Sequence, residues 1–201
     1  MIGKSIWAVA FGVALLTVLS GCRSATPAVT YYTLNPISEP AREKLNSGNA
    51  GLIVAILPVE LPGVIDRSQM VTRIGAHQLA VSALHRWADY PNALVQQILG
   101  QNLQLLMPNA RVVSAPWPMG LKPDVTVTVK FYELLGTPGS RIRLNAAWTA
   151  AAADTALAVS RRVNLTEPVA GKGYKELAAA HSRILAAFCR ILADSLIALH
   201  G

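Results

Sequence analysis

Four histidines and two cysteines are the side chains here best suited to metal or nucleophilic chemistry. Their spacing argues against both. His77, His85, His181 and His200 stand at no metal-type interval from one another, from Cys22 or from Cys189. There is no G-x-S-x-G, and no nucleophile has a base close by in sequence. The run GKGYK at 171–175 misses the G-x-x-x-x-G-K-[ST] spacing of a phosphate cradle and reads as a lead into a helix. Asp66, Asp124 and Asp154 are scattered and form no carboxylate pair. The chain therefore reads as not an enzyme, with no metal and no small-molecule cofactor. His181, four residues after Leu177 on an apolar helical stripe, reads as a satisfied, partly buried histidine.

Cys22 carries a different kind of chemistry. Lys4 is the only charge before it, and residues 6–18 are almost wholly apolar. That is an export signal: a positive start, an apolar stretch, then small residues. Thirteen residues fall short of the roughly 20 that span a bilayer. Leu19-Ser20-Gly21-Cys22 resembles the lipobox of bacterial lipoproteins. The resemblance implies cleavage after Gly21, a diacylglyceryl group on the Cys22 sulfur and an N-acyl chain on the new terminus. One chain binds a membrane only marginally, whereas two or three make a lasting anchor. Arg23, rather than Asp, follows the cysteine, which among such lipoproteins goes with sorting to the outer membrane. Cys189 is then left without a disulfide partner and is expected to be buried.

These features divide the chain into a signal at 1–21, a lipidated tether at 22–28 and a single domain at 29–201. The nine residues from Cys22 to Tyr31 reach at most about 32 Å, so the domain stays close to its membrane. Loss of Lys4 with the signal leaves 17 Lys and Arg against 11 Asp and Glu, net +6. That charge suits anionic head groups, but it lacks the dense basic run of a nucleic-acid binder, so no nucleic acid is expected.

Periodicity supplies the elements. Apolar or alternating runs predict strands at 29–34, 52–61, 69–74, 78–82, 111–114, 124–134, 140–150 and 157–165. In the sixth, Val125, Val127, Val129 and Phe131 face one way, and Thr126, Thr128, Lys130 and Tyr132 the other. A two-residue turn at Ala153-Asp154 would pair Thr149 with Ala158 and Asn145 with Arg162, keeping both apolar faces on one side. Helices are expected at 90–107, with Asp89 as cap and Pro91 in the first turn, and at 174–199. Lys175, Arg183, Arg190 and Asp194 interrupt the second, which excludes a membrane span. The fold class is α+β: an antiparallel or mixed β-sheet packed on one face by two long amphipathic helices.

Surface candidates follow from breaks in this pattern. Leu61-Pro62-Gly63 ends an apolar strand, so Asp66 and Arg67 fall in a loop or at an edge. Trp87 and Trp117 flank regular elements, where they either plug the core or anchor a partner. Arg141, Arg143 and Arg162, with Lys130, share a polar hairpin face that is either solvated or meets an acidic partner or phospholipid phosphates.

Several segments together carry a resemblance: VTYYTL at 29–34, VELPGVIDRSQMVTR at 59–73, RWADYPNALVQQIL at 86–99, and Pro116-Trp117. In this order they resemble the PqiC/YmbA family of ABC-type transport auxiliary lipoproteins. The likeness weakens at 140–165, where Ala153-Asp154-Thr155 replaces a glycine-containing turn. The resemblance implies a non-catalytic outer-membrane lipoprotein facing the periplasm. Its partners would be an MCE-domain protein that carries lipid between membranes, and that protein's inner-membrane permease and ABC components. It also implies a homo-oligomeric ring. Asp66, Arg67, Arg73, Trp87 and Trp117 are the expected partner-binding residues. Two alternatives use the same kind of domain: an envelope assembly or activator lipoprotein with a different partner, and a lipid-binding carrier, which would need an internal cavity.

Overall fold

The computed structural model describes residues 27–38, 51–154 and 157–200. Cys22 and the signal lie outside them. Eight strands and two helices follow in the order β1 (Thr30–Tyr32), β2 (Ile53–Ile56), β3 (Gln69–Gly75), β4 (Gln78–Trp87), α1 (Pro91–Leu106), β5 (Arg111–Ser114), β6 (Val125–Gly136), β7 (Arg141–Ala152), β8 (Ala158–Pro168) and α2 (Tyr174–His200). The strands form one mixed, curled sheet. The class is α+β, as the sequence predicts.

β6 organises the sheet. One edge pairs along its whole length with β7, which pairs in turn with β8. The other edge is shared. β2 runs parallel to its first part, Glu60 bridges to Lys130, and β3 meets its end at Thr72 opposite Gly136. From β3 the sheet continues to β4 and β1; from β2 it continues to β5. Two wings that share one edge of a single strand give the sheet its curl.

Alternation fixes which face of β6 is buried. Val125, Val127, Val129 and Phe131 are inside, and Thr128, Lys130 and Tyr132 are exposed. Ile142, Leu144, Ala146 and Trp148 of β7 continue the apolar face. Over it lie α1, through Leu94, Val95, Ile98, Leu99 and Leu103, and α2, through Leu177, Ile184, Leu185, Phe188, Leu192 and Leu196. The helices also contact each other. Burying even one such side chain contributes about 1.5–3 kcal/mol, so the domain needs no disulfide. Cys189 is fully buried and free.

Three details depart from the sequence reading. The β7–β8 register pairs Thr149 with Ser160 and Asn145 with Asn164, two residues beyond the expected pairing. A longer connection produces the shift: Ala152 N–H bonds the Leu157 carbonyl, so the chain turns outside the expected two-residue position. A shift of two preserves the faces, which is why the apolar pattern could not reveal it. Strand β4 runs on to Trp87, past the predicted end at residue 82, because β1 lies beside its second half and pairs there. Asp89 does not cap α1 in the expected way. Its Oδ1 accepts only from the neighbouring Tyr90 N–H, and Tyr90 occupies the capping position without a side-chain bond.

Candidate functional site

Residues 61–68 leave the sheet after β2 and fold back over the start of α1. Pro62 breaks strand pairing. Its carbonyl accepts from Ile65 N–H at 2.9 Å and Asp66 N–H at 3.1 Å, which closes a tight turn. Ile65 is buried and pins the turn to the core. Two further bonds fix the loop's position. Trp87 N–H donates to the Ser68 carbonyl at 2.7 Å, and Asn92 N–H donates to Asp66 Oδ1 at 3.2 Å. Asp66 thereby supplies the acceptor that the first turn of α1 lacks, at the positive end of the helix dipole. A cap so distant in sequence carries no local signature.

The five expected partner-binding residues do not form one cluster. Asp66, Arg67 and Trp87 belong to the loop–helix junction. Arg67 is exposed. The Trp87 side chain is buried, at 8% exposure, and edge-on to the His181 ring with centroids 5.3 Å apart. Trp87 is thus a core residue beneath the loop rather than an exposed anchor. Arg73 lies further along β3, ion-paired with Glu133 at 3.2 Å. Trp117, half-exposed, follows β5 in a loop whose Ala115–Pro116 bond is cis. The Gln96 side chain of α1 holds that loop through the Ala115 carbonyl, 3.1 Å away.

The space beneath the junction is small. Leu34, Leu61, Ile65, Val71, Trp87 and His181 line a cavity of about 30 Å³, the share of a single water. His181 is buried there, its Nδ1–H donating to the Leu177 carbonyl at 2.9 Å. Burial pushes its pKa down to about 4, against the pull of the Leu177 and Leu134 carbonyls. It is a neutral core histidine. Cys189 is held equally inert. Burial raises its thiol pKa to about 12, against smaller opposing effects of Asn102 and Arg190. Among the described residues no group of three or more His, Cys, Asp or Glu could hold a metal ion, and no helix is long and apolar enough to cross a membrane.

Sequence reasoning placed Arg141 and Arg143 on one polar face but did not join Arg73 to them. Arg73, Arg141 and Arg143 come together with Thr137 and Ser140 around an open pocket of about 280 Å³. Arg73 is 68 positions from Arg141, and only the contact of β3 with the end of β6 brings them to one place.

Comparison with known proteins agrees with this architecture. The family model for the ABC-type transport auxiliary lipoprotein component matches residues 32–193. The chain belongs to that family. No curated protein sequence matches it. Two solved structures share the fold. An uncharacterised protein is 16% identical with a TM-score of 0.70, covering 85% of this chain and 99% of its own. Protein XCC0632 from Xanthomonas campestris, of family DUF330, is 12% identical with a TM-score of 0.71, covering 85% and 96% respectively.

Proposed function

We propose that this chain is a non-catalytic lipoprotein, anchored through lipid on Cys22 in the outer membrane and facing the periplasm. It receives the end of a periplasm-spanning MCE-domain partner whose lipid transport is driven from the inner membrane by a permease and an ABC component. Membership of the auxiliary lipoprotein family carries this reading. The lipobox-like LSGC and Arg23 support the anchor and its outer-membrane address. The short tether supports docking at the membrane, since a domain within about 32 Å of it needs a partner that comes to it. The carrier alternative is less well supported, because the cavity beneath the loop at 61–68 has room for about one water, and the larger space of about 860 Å³ along α1 and β5 is an open groove rather than an enclosed cavity.

In this reading the loop at 61–68 presents Arg67, with Asp66 and Trp87 holding the loop in place and Trp117 offering a separate aromatic contact. Truncating a well-packed aromatic at an interface costs about 2 kcal/mol or more, roughly thirtyfold in affinity. A pull-down with the cognate MCE-domain protein tests the assignment, using Arg67→Glu and Trp117→Ala variants with unchanged melting temperatures. Loss of capture is expected for both. Wild-type capture by both would remove these residues from the docking surface, and failure of the wild-type chain to capture would remove the partner.

A further inference from the structure

We propose that the pocket formed by Arg73, Arg141 and Arg143 binds the phosphate of a phospholipid head group, with the β3–β4 hairpin tip lying in the membrane interface beside it. The pocket stands on its geometry alone; the choice of a lipid over a soluble phosphate rests on the anchoring at Cys22 proposed above.

Three guanidinium groups from two strands line one pocket with two hydroxyls, Thr137 and Ser140. Guanidinium forks match phosphate oxygens in pairs, and hydroxyls add donors. Arg141 and Arg143 alternate on the exposed face of β7, and neither has an ion pair among the described residues. Glu133 neutralises Arg73 and holds it in place, which leaves a local surplus of two positive charges. Lys172 adds another nearby, its stem packed close to Gly139 in the loop between β6 and β7. Glu176 lies against Gly171 and Gly173, on the loop that bonds Gly139. Two arginines side by side without a carboxylate between them are poorly placed for stability alone, and well placed for an anion.

The hairpin that carries Arg73 also exposes apolar side chains. Arg73 donates to the Ala76 carbonyl at the hairpin tip and pairs across the hairpin with Leu79. Ile74 is 62% exposed, Leu79 37% and Val81 47%. The stretch 69–87 holds Arg73, His77, His85 and Arg86 but no Asp or Glu. An exposed apolar tip on an acid-free basic hairpin suits the boundary of an anionic bilayer.

The chain's own anchor lies within reach of this tip. Thr30 pairs with His85 in parallel register, so the chain enters β1 from the hairpin-tip side. From Gln78 to His85 the strand covers about 23 Å. The eight residues from Cys22 to Thr30 reach at most about 29 Å. A lipid on Cys22 can therefore sit at the level of the tip, which places head groups next to the pocket.

The described fold lies wholly within residues 27–200 and closes around one core. The chain from residue 22 onward carrying Cys22→Ser therefore keeps the fold without the lipid. Its binding is measured by flotation with vesicles of phosphatidylethanolamine and phosphatidylglycerol, and with vesicles of a phosphate-free galactolipid. We expect binding to the first and at least tenfold less to the second. Arg141→Gln combined with Arg143→Gln should weaken binding at least tenfold. Arg162→Gln, on the same hairpin but stacked over Tyr132, should leave it unchanged. Leu79→Ser should weaken it with the pocket intact. The proposal is overturned if both lipids bind alike, if the paired variant binds as the wild type does, or if Arg162→Gln is equally damaging. It is also overturned if glycerol 3-phosphate binds in solution while vesicles do not, which would make the site one for a soluble phosphate. Vesicle binding with a failed MCE pull-down would leave the pocket standing and remove only the proposed partner.

Discussion

The Asp66 carboxylate accepts a hydrogen bond from Asn92 N–H, 26 residues further along the chain, at 3.2 Å. One side chain thus both caps α1 and holds the loop at 61–68 against it. Losing a cap costs about 1 kcal/mol, which in a domain of this size lowers the melting temperature by about 2–4 °C. Asp66→Ala should show that loss in a thermal melt, and Asp66→Asn should recover most of it. An Asp66→Ala variant as stable as the wild type would mean that the bond contributes nothing to the fold.

His181 makes stability depend on pH. Its folded pKa is lowered to about 4 by burial, against about 6.5 in the unfolded chain. The unfolded state therefore binds a proton first. The stabilisation is fully present above about pH 6.5, falls as the pH drops towards 4, and changes no further below that. Two and a half pKa units correspond to about 3 kcal/mol. Urea melts at pH 7.5 and 4.5 should differ by an amount of that order in the wild type. His181→Gln, which can still bond the Leu177 carbonyl, should flatten the difference.

Cys189 should behave as a reporter of unfolding. It is fully buried, and its thiol pKa is raised to about 12, so thiolate is scarce at neutral pH. A thiol reagent should react slowly with the native chain and rapidly in denaturant, on a variant with Cys22 replaced. Equal rates in the two states would show that the helix opens readily there.

These three residues differ in how far the sequence announced them. His181 and Cys189 lie on or beside a helical apolar stripe; periodicity predicted partial burial of His181, and the lack of a disulfide partner predicted burial of Cys189. The inward run Val125, Val127, Val129 and Phe131 was equally plain, because alternation is a local property. Asp66 was flagged as a partner-binding residue in a loop or at an edge, and its bond to Asn92 was hidden, since nothing local joins the two. Trp87 shows the same limit. A tryptophan before a helix can plug or protrude, and only the position of the loop at 61–68 decides. The arginine pocket was half visible. Arg141 and Arg143 stood out on one face of β7, but Arg73 joins them only through a sheet in which β2 and β3 share an edge of β6. The hairpin register was hidden for a sharper reason. A slip of two residues leaves every side chain on its original face, so binary patterning cannot detect it.

Gly136 marks where β6 passes under α2. A Cβ built there would overlap Leu177 Cδ1, and Leu177 is fully buried and cannot withdraw freely. Gly136→Ala should destabilise the fold by about 1–3 kcal/mol through overpacking. Pairing it with Leu177→Val should recover part of the loss, a coupling that a double-mutant cycle measures. Additive losses would show that the two side chains do not compete for the same space.

The free edge of β5 leads to the last prediction. Arg111 and Ala115 N–H groups bond the Leu52 and Ile56 carbonyls at 2.8 Å each, so by alternation the N–H groups of Val112 and Ser114 point outward. Gln104 of α1 meets this edge. Its Oε1 accepts from Val112 N–H at 3.0 Å and its Nε2 donates to the Ala110 carbonyl at 2.9 Å. A side-chain amide thus takes the place that a neighbouring strand's peptide group would fill. Unblocked edges recruit other chains. Gln104→Ala removes both bonds, each worth about 1 kcal/mol net, and leaves the edge open to pairing. The variant should remain folded and show a larger species than the wild type in sedimentation velocity, increasing with protein concentration. Gln104→Glu keeps the acceptor for Val112 but sets a carboxylate against the Ala110 carbonyl, so it should fall between the two. If Gln104→Ala sediments as the wild type does at every concentration, the amide bonds the edge without guarding it, and the short length of β5 is protection enough.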